Sequence, residues 1–575
     1  MALMRFARSL PFETVASIAI VLWALILAHP LLTAEGLPSF ERGYFHSATI
    51  AYYISWAKEL HSYGLYTPAW CGGFDLLRFY PPLGLLLIFA LGLLAGSFIY
   101  GAYLAYFIAI YAFLRAIYSF AYSVSGSSRA SLLLALAAPL ISGYVSTIAV
   151  YWEYTRILGE AFAFLSLASL VKLLDSGDSD EVKRFSIFSA LTLLTHLIAS
   201  LELAILALTT FVAKILTHYR RGASFRAITY LIILVAVGVL LSAAYTAWWL
   251  IPALLPFGLQ HYLRVKTPLS FKLSILAHSS SPYPPLYEPA VQLPIIVMGL
   301  IAVIAYVTIA RRAEKLPLYY ILAFTILVAV YGQGLRLIPT LGLLMVLGFL
   351  DSLSRAAKNS RGRHSITLFA HLALVAFIAA YTPAYVGVYW NSFHTDHTYV
   401  YSDEYLVAQF LKENTGEGFR AYLMDGDTFH GNQWINVFSP KTWHALSCFM
   451  EGCIYKDYIV YDNLVKNSLS YYKVYNMSKK YCIKYIVVDS KWFYSNPRNV
   501  IKMLEEKGLI SREPLSSELK YSLIFKVEGV NNCKSSTTLG YYDELLILLL
   551  PSRLLGYAIS IIAIVLYRKL KKLIS

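Results

Sequence analysis

Long apolar runs recur along the chain, separated by short polar segments. A run of about 20 residues crosses the ~30 Å hydrocarbon core of a bilayer as one helix. The pattern predicts about twelve spans. The first, at about 14–32, is expected to be retained because it lacks a small-residue cleavage site. The others are expected at about 99–122, at 132–150, in a helix ending near Asp175, in two short helices within 185–216 that turn near His196, and at 227–252, 291–310, 317–333, 337–351, 366–389 and 543–567.

Two helices between the first and second spans are expected to lie at the membrane surface. The apolar stretch 83–94 is too short to span comfortably and predicts an interfacial or re-entrant helix. The stretch 46–61 mixes aromatic residues with Lys58 and Glu59, a composition typical of a helix at the headgroups. Together they make 34–97 a long outer loop.

The segment 391–540 is polar and predicts a separate small α/β domain. Strand-like runs occur at 419–424, 483–488 and 523–527, and a helical pattern at 500–506 ends at Gly508. Up to two disulfides are compatible with the four cysteines of this segment, which are Cys448, Cys453, Cys482 and Cys533. The predicted fold class is therefore a polytopic all-α transmembrane bundle (1–390) with an extracytoplasmic α/β domain (391–540) and a final transmembrane helix with a basic tail (541–575).

Composition and charge agree with a membrane location. Hydrophobic residues make up 58% of the 575 residues and charged residues only 14%, against about 25% charged in soluble domains. The net charge of +15 does not indicate nucleic-acid binding, because the basic residues lie between the apolar runs, as expected of cytoplasmic loops. This charge placement predicts that both termini are cytoplasmic and that 34–97 and 391–540 lie outside.

Four groups of ionisable residues fall on the outer side in this topology. Such residues at the rim of a membrane bundle are costly and by default indicate function. A carboxylate there could act as a general base or hold a divalent cation, whereas Arg and His suit phosphate. The groups are Glu41 with His46, then Glu153, Arg156 and Glu160, then His196, and finally Arg336.

Each group also has a purely structural interpretation. Glu41 alone reads as an ordinary loop carboxylate, and Arg156 with Glu160 has the i,i+4 spacing of a helix-stabilising pair. His196 reads as a hydrogen-bonded bundle histidine, and Arg336 as a side chain that reaches the membrane interface. The functional interpretation rests on their shared outer face, which the placement of the basic residues between the apolar runs predicts independently of these four groups.

Several loose motifs, in their order along the chain, resemble the membrane-embedded C-type glycosyltransferases. That superfamily includes oligosaccharyltransferases, protein O-mannosyltransferases and lipid A aminoarabinose transferases. Within it, the chain is most similar to archaeal and prokaryotic membrane proteins labelled as 6-pyruvoyl-tetrahydropterin synthase-related. The likeness covers about residues 10 to 350 and rests on Glu41 with His46, 64–70, Tyr80-Pro-Pro-Leu83, Arg156 with Glu160, and Trp249-Leu-Ile-Pro252.

The resemblance implies transfer of a sugar from a polyprenyl-phosphate donor to an acceptor on the outer face. Glu41 takes the catalytic acidic role and Glu153 or Glu160 the second one. Arg156 or Arg336 takes the phosphate, with His46 and His196 as further substrate-binding residues.

The first outer loop departs from the family's usual pattern. The family usually shows Asp, often paired with a second acid, whereas Glu41 stands beside Arg42 without an Asp-x-Asp. A divalent cation at Glu41 is therefore left open. Two other functions remain open as well: a lipid or solute transporter or flippase, and a non-catalytic membrane scaffold.

Overall fold

The computed structural model describes most of the chain. Apart from a few isolated positions, the described residues are 11–33, 48–67, 74–77, 81–141, 153–254, 296–304, 315–330, 337–359, 403–424 without 417, 442–444, 470–531 without 497–498 and 521, and 553–566.

The described part of the predicted membrane domain is almost entirely helical. Its helices include α1 (Phe12–Thr33), α2 (Ala48–Tyr63), α3 (Leu83–Ala95), α4 (Phe98–Ser125), α5 (Ser128–Ala137), α6 (Tyr154–Ser176), α7 (Ser179–Thr195), α8 (Leu197–Arg220), α9 (Phe225–Leu254), α10 (Leu316–Val330) and α11 (Ile338–Asn359). A short antiparallel pair, β1 (Tyr66–Thr67) with β2 (Phe74–Asp75), separates α2 from α3.

Helix α6 lies at the centre of the bundle. In its most apolar window 83% of the residues are buried, and α4, α7 and α8 all pack against it. A helix that is apolar on every side has no face for solvent and is stabilised by burial all round. Any polar side chain near the start of α6 is therefore enclosed by its neighbours.

Capping residues set the boundaries of the helices around α6. Gly177 ends α6 in the left-handed conformation, at φ 70°, and Asp178 caps α7 by accepting from the backbone N–H of Asp180. The helix predicted to end near Asp175 thus ends at Ser176, and only Gly177 and Asp178 separate α6 from α7. His196 ends α7 in an extended conformation and caps α8 through its side chain.

Four described helices are long and apolar enough to cross a membrane, and they are 98–125, 154–176, 197–220 and 225–252. The expected break near His196 is present, but α8 has 24 residues and is not a short helix. The span expected at 132–150 is also different: α5 ends at Ala137 and passes into a 3₁₀ turn containing Pro139. The total of about twelve spans stays a prediction, and the span expected at 366–389 lies outside the described residues.

The segment after residue 403 forms a five-stranded mixed sheet in the order β4-β3-β5-β7-β6. Its strands are β3 (Arg420–Met424), β4 (Thr442–His444), β5 (Ile483–Asp489), β6 (Ile510–Arg512) and β7 (Ser522–Val527). Apolar clusters cover the sheet, together with α12 (Asp403–Asn414), α13 (Tyr471–Lys480), α14 (Ser490–Ser495) and α15 (Val500–Glu506). A last apolar helix, α16, spans Arg553–Leu566.

The local predictions for this segment agree with the structure. The three expected strands are present, and the predicted helix over Val500–Glu506 has those bounds. Gly508 follows it with φ +66°. Cys482 is disulfide-bonded, whereas Cys448, Cys453 and Cys533 lie outside the described residues. The position of this segment outside the cytoplasm remains a prediction.

Candidate functional site

A buried charge cluster lies at the start of α6, where one guanidinium meets three carboxylates. Arg156 Nε is 2.8 Å from Glu160 Oε1, Nη1 is 3.5 Å from Glu153 Oε2, and Nη2 is 3.8 Å from Glu202 Oε1. The side chains of Arg156, Glu160 and Glu202 are at most 4% exposed, whereas that of Glu153 is 20% exposed. All three guanidinium nitrogens therefore face carboxylates, and only Glu153 opens toward the surface.

The close approach of α8 to α6 brings Glu202 into this cluster. A Cβ on Gly159 would lie 2.9 Å from His196 Cβ and 3.1 Å from Ala199 Cβ. A larger residue at 159 would push the start of α8 away. Because Glu202 lies one helical turn after Ala199, it shares the face of α8 that approaches α6.

Helix α11 joins the cluster through a hydroxyl pair. Thr340 Oγ1 donates to Glu202 Oε1 at 3.0 Å. The Tyr144 hydroxyl lies 3.3 Å from Thr340 Oγ1 and also faces the Glu160 carboxylate. These contacts connect α6, α8 and α11 through buried polar groups, in an interior where unpaired polar atoms are costly.

The helices that follow the first predicted span also reach this end of α6. The Tyr53 hydroxyl of α2 donates to Thr155 Oγ1 at 3.2 Å, and the Tyr154 hydroxyl donates to the backbone carbonyl of Gly84 in α3. The rings of Tyr53 and Tyr154 meet edge to face with centroids 5.6 Å apart. The predicted outer loop therefore packs directly beside the residue that precedes Arg156.

The cluster carries more negative than positive charge. With all four groups ionised, three carboxylates and one guanidinium sum to −2. Glu160 Oε2 is buried and receives no hydrogen bond of ordinary geometry from the described residues. Uncompensated buried charge is costly, so the cluster favours a cation, a proton or an electron-poor centre over a further anion.

The described residues do not form a metal site. No group of three or more His, Cys, Asp or Glu side chains within them is placed to hold a metal ion. In the charge cluster, the guanidinium of Arg156 occupies the position between the carboxylates where a cation would otherwise bind. Glu41, the residue at which the sequence leaves a divalent cation open, lies outside the described residues.

The structure brings together three of the residues singled out from the sequence, Glu153, Arg156 and Glu160. His196 is buried and packs against Gly159, but its Nδ1 accepts from the backbone N–H of Ala199 at 3.4 Å, which is a capping role. The other three residues, Glu41, His46 and Arg336, lie outside the described residues.

Glu202 is a site residue that the sequence reasoning missed. It stands in the apolar run Leu197-Ile-Ala-Ser-Leu-Glu-Leu-Ala-Ile205, where it is the one ionisable side chain. Such an acid within a membrane helix is a signal for a buried partner. Tyr144 and Thr340 were also missed, and they carry no comparable signal because Tyr and Thr are common in apolar helices.

The fold is similar to those of known membrane glycosyltransferases. Arabinofuranosyltransferase AftD from Mycobacteria matches with a TM-score of 0.57 at 14% identity, over 90% of this chain and 40% of AftD. The oligosaccharyltransferase of Archaeoglobus fulgidus, in complex with Zn and sulfate, matches with a TM-score of 0.53 at 15% identity, over 88% and 72%. ArnT from Cupriavidus metallidurans, bound to undecaprenyl phosphate, matches with a TM-score of 0.50 at 11% identity, over 91% and 99%.

These likenesses concern the fold alone, which is similar to that of membrane glycosyltransferases. The four apolar helices support a membrane location. The chain spans less than half the length of AftD. No family model and no curated protein matches the sequence. The closer likeness to proteins related to 6-pyruvoyl-tetrahydropterin synthase therefore stays a prediction.

Proposed function

We propose that this protein is an integral membrane glycosyltransferase that moves a sugar from a polyprenyl-phosphate donor to an acceptor on the outer face of the membrane. The observation that carries the proposal is the buried cluster around Arg156 at one end of α6, in a chain with the fold of C-type glycosyltransferases. ArnT, whose fold is similar along nearly its whole length, binds undecaprenyl phosphate. A lipid-phosphate donor is the chemistry this comparison supports.

In the proposed reaction Glu41 is the general base. Its carboxylate accepts the proton of an acceptor hydroxyl, and the hydroxyl oxygen forms a bond to the anomeric carbon of the donor sugar. The bond between that carbon and the phosphate oxygen breaks, and polyprenyl phosphate leaves with the electron pair.

The geometry of the charge cluster favours Arg336 over Arg156 for binding the lipid phosphate. Each nitrogen of the Arg156 guanidinium already faces a carboxylate, and a phosphate there would meet an excess of negative charge. Arg156 instead holds Glu160 and Glu202 in place. We assign phosphate binding to Arg336, with His46 as a second contributor, and Glu153 or Glu160 remains the second acid.

Glu202 favours transport as a second candidate function. An ionisable side chain inside an apolar helix is a common feature of ion and substrate pathways, and Glu202 has this position in α8. Its contacts with Arg156 and Thr340 also explain it as a structural group. Transport and transfer differ in one product, because only transfer releases free polyprenyl phosphate from the donor.

The test is release of polyprenyl phosphate by the purified protein in liposomes. The donors are polyprenyl-phosphate hexoses and pentoses, and native membranes supply the acceptor. We expect Glu41→Gln to lower the rate of polyprenyl-phosphate release by about 10²–10⁴-fold, the usual contribution of a general base. Glu35→Gln, in the same predicted outer segment, is the matched control and should keep the rate.

Two results would contradict the proposal. Full activity of the Glu41→Gln protein would remove the assigned base. Movement of the lipid between leaflets by the wild-type protein, without release of polyprenyl phosphate from any donor, would establish the transport alternative instead.

A further inference from the structure

Among the described residues, Val437 and Phe438 form an apolar contact between the helical bundle and the five-stranded sheet, here called the outer sheet after its predicted location. Val437 is 2% exposed and belongs to the apolar core of the helical bundle. Phe438 packs against that core and also against the cluster around β3 and β5 of the sheet. The ring of Phe438 meets Tyr405 of α12 edge to face at 5.2 Å. The sheet is therefore docked on the bundle at this point.

Lys58 of α2 is bonded at the same point. Its Nζ donates to the backbone carbonyl of Val437 at 2.8 Å and lies 5.6 Å from the ring centroid of Phe438. Burial lowers the pKa of Lys58, and the charge of Lys412 in α12 lowers it further. An amine that is kept in such a position despite the cost of burial makes a specific contact.

The same helix contacts the start of α6, directly beside the charge cluster, about one and a half turns earlier. Tyr53 donates to Thr155, the residue directly before Arg156. Five residues separate Tyr53 from Lys58, which is about 7.5 Å along a helix. This helix thus contacts Val437 and Phe438, where the sheet docks on the bundle, through Lys58, and the start of α6 through Tyr53.

We propose that Lys58 is a positioning residue that fastens α2 between the outer sheet and the charge cluster. With Lys58 bonded to Val437, α2 is fixed against the sheet, and Tyr53 holds the start of α6. The arrangement of Arg156 with its carboxylates then depends on the docking of the sheet. Its consequence for sugar transfer rests on the proposed function, but the mechanical link does not.

The test compares amide hydrogen exchange in the full-length protein with three substitutions at lysine. Lys58→Met removes the donor and keeps an unbranched apolar side chain, and Lys58→Arg keeps a cationic donor. Lys484→Met is the matched control, because Lys484 Nζ also donates to a backbone carbonyl, that of Asn414 at 2.7 Å, and lies over the ring of Phe419. That contact lies within the sheet segment.

We expect Lys58→Met to raise exchange about ten-fold or more in α2 and in the first turns of α6, the scale of a lost hydrogen bond from a charged group. Exchange in β5 and β7 should stay unchanged, and Lys58→Arg should restore most of the protection. Lys484→Met should leave α2 and α6 as in the wild type. Tyr53→Phe, which removes only a hydroxyl, should raise exchange at the start of α6 alone.

Unchanged exchange in α2 and α6 in a folded Lys58→Met protein would overturn the proposal, as would equal effects of Lys58→Met and Lys484→Met. If Lys58→Met does not fold, the Tyr53→Phe result decides: protection of α6 as in the wild type would overturn the proposal.

In the polyprenyl-phosphate release assay, Lys58→Met should lower kcat with little change in the donor KM. If the wild-type protein transfers no sugar but the variants show these exchange effects, the proposed function is refuted. The link from the sheet through α2 to the start of α6 then still stands.

Discussion

At the scale of single residues, the central feature is that Arg156 is enclosed by acids. A buried guanidinium that loses its partners, or carboxylates that lose their guanidinium, cost several kcal/mol. Glu160 makes the short contact at 2.8 Å, whereas Glu202 lies 3.8 Å away and also accepts from Thr340. Neutralising Glu160 and neutralising Glu202 should therefore change the stability of the protein by different amounts.

Arg156→Met should destabilise the protein by about 3–5 kcal/mol, because it leaves three carboxylates without their cation. Glu202→Gln should cost less than about 1 kcal/mol, since its amide oxygen still accepts from Thr340 and one excess negative charge is removed. Thermal unfolding of both variants in the same detergent measures the difference. Equal losses of stability would show that the cluster is not held by the charge of Arg156.

Lys58 predicts a pH dependence of stability with a definite sign. Its pKa is lowered in the folded protein, first by burial and then by Lys412, below the value of 10.5. Between the folded pKa and 10.5 the unfolded chain binds more protons, so stability contributed by Lys58 rises with pH. Below that window its burial penalty is fully present.

The check is the difference in unfolding temperature between wild type and Lys58→Met, measured from pH 8 to pH 11. The difference should shift in favour of the wild type as pH rises through the window. A difference that shifts against the wild type with rising pH would contradict the burial of a charged Lys58.

At the scale of elements, glycines at two helix contacts, those of α3 and α8 with α6, allow the close packing on which the site depends. Gly84 lets α3 approach the start of α6, and Gly159 lets the start of α8 approach the same helix. A Cβ on Gly84 would lie 2.3 Å from Thr155 Cγ2, a distance that forces one element to move. The position of the cluster depends on such close packing as much as on its charges.

Gly84→Ala should lower the stability by about 1–3 kcal/mol, the usual cost of overpacking. Thr155→Ser removes the methyl group that would clash and keeps the hydroxyl that accepts from Tyr53, so the double variant should regain part of the loss. Only part is expected, because the Tyr154 hydroxyl would still lie 3.2 Å from the new Cβ. Additive losses in the double variant would mean that the clash is not with Thr155.

Sequence patterns predicted some elements much better than others. The helix Val500–Glu506 was predicted with its bounds because Gly508 ends it, and the strands near 420, 483 and 523 have the length and composition of buried strands. The span expected at 132–150 was not, because hydropathy alone does not register that Pro139 ends the regular helix. Glu202 was missed since no pattern in α8 indicates its partner on α6.

At the scale of the whole molecule, charge placement and hydropathy predicted a helical membrane bundle, and the resemblance of several motifs predicted the glycosyltransferase type. The four apolar helices and a fold similar to those of membrane glycosyltransferases agree with these two predictions. Which residues meet depends on contacts between distant segments, such as Thr340 with Glu202 and Tyr53 with Thr155. Periodicity along one segment carries no information about such pairs. The sequence predicted only that Glu153, Arg156 and Glu160 share the outer face, and the three residues do lie together at the start of α6.

The most direct measurement of the central claim is the position of a lipid phosphate in an experimental structure of the protein with undecaprenyl phosphate in a lipid nanodisc. We predict phosphate density near the start of α6, in contact with Arg336 and not with Arg156. A structure in which the lipid phosphate binds elsewhere, or in which it displaces Glu160 from Arg156, would contradict the account.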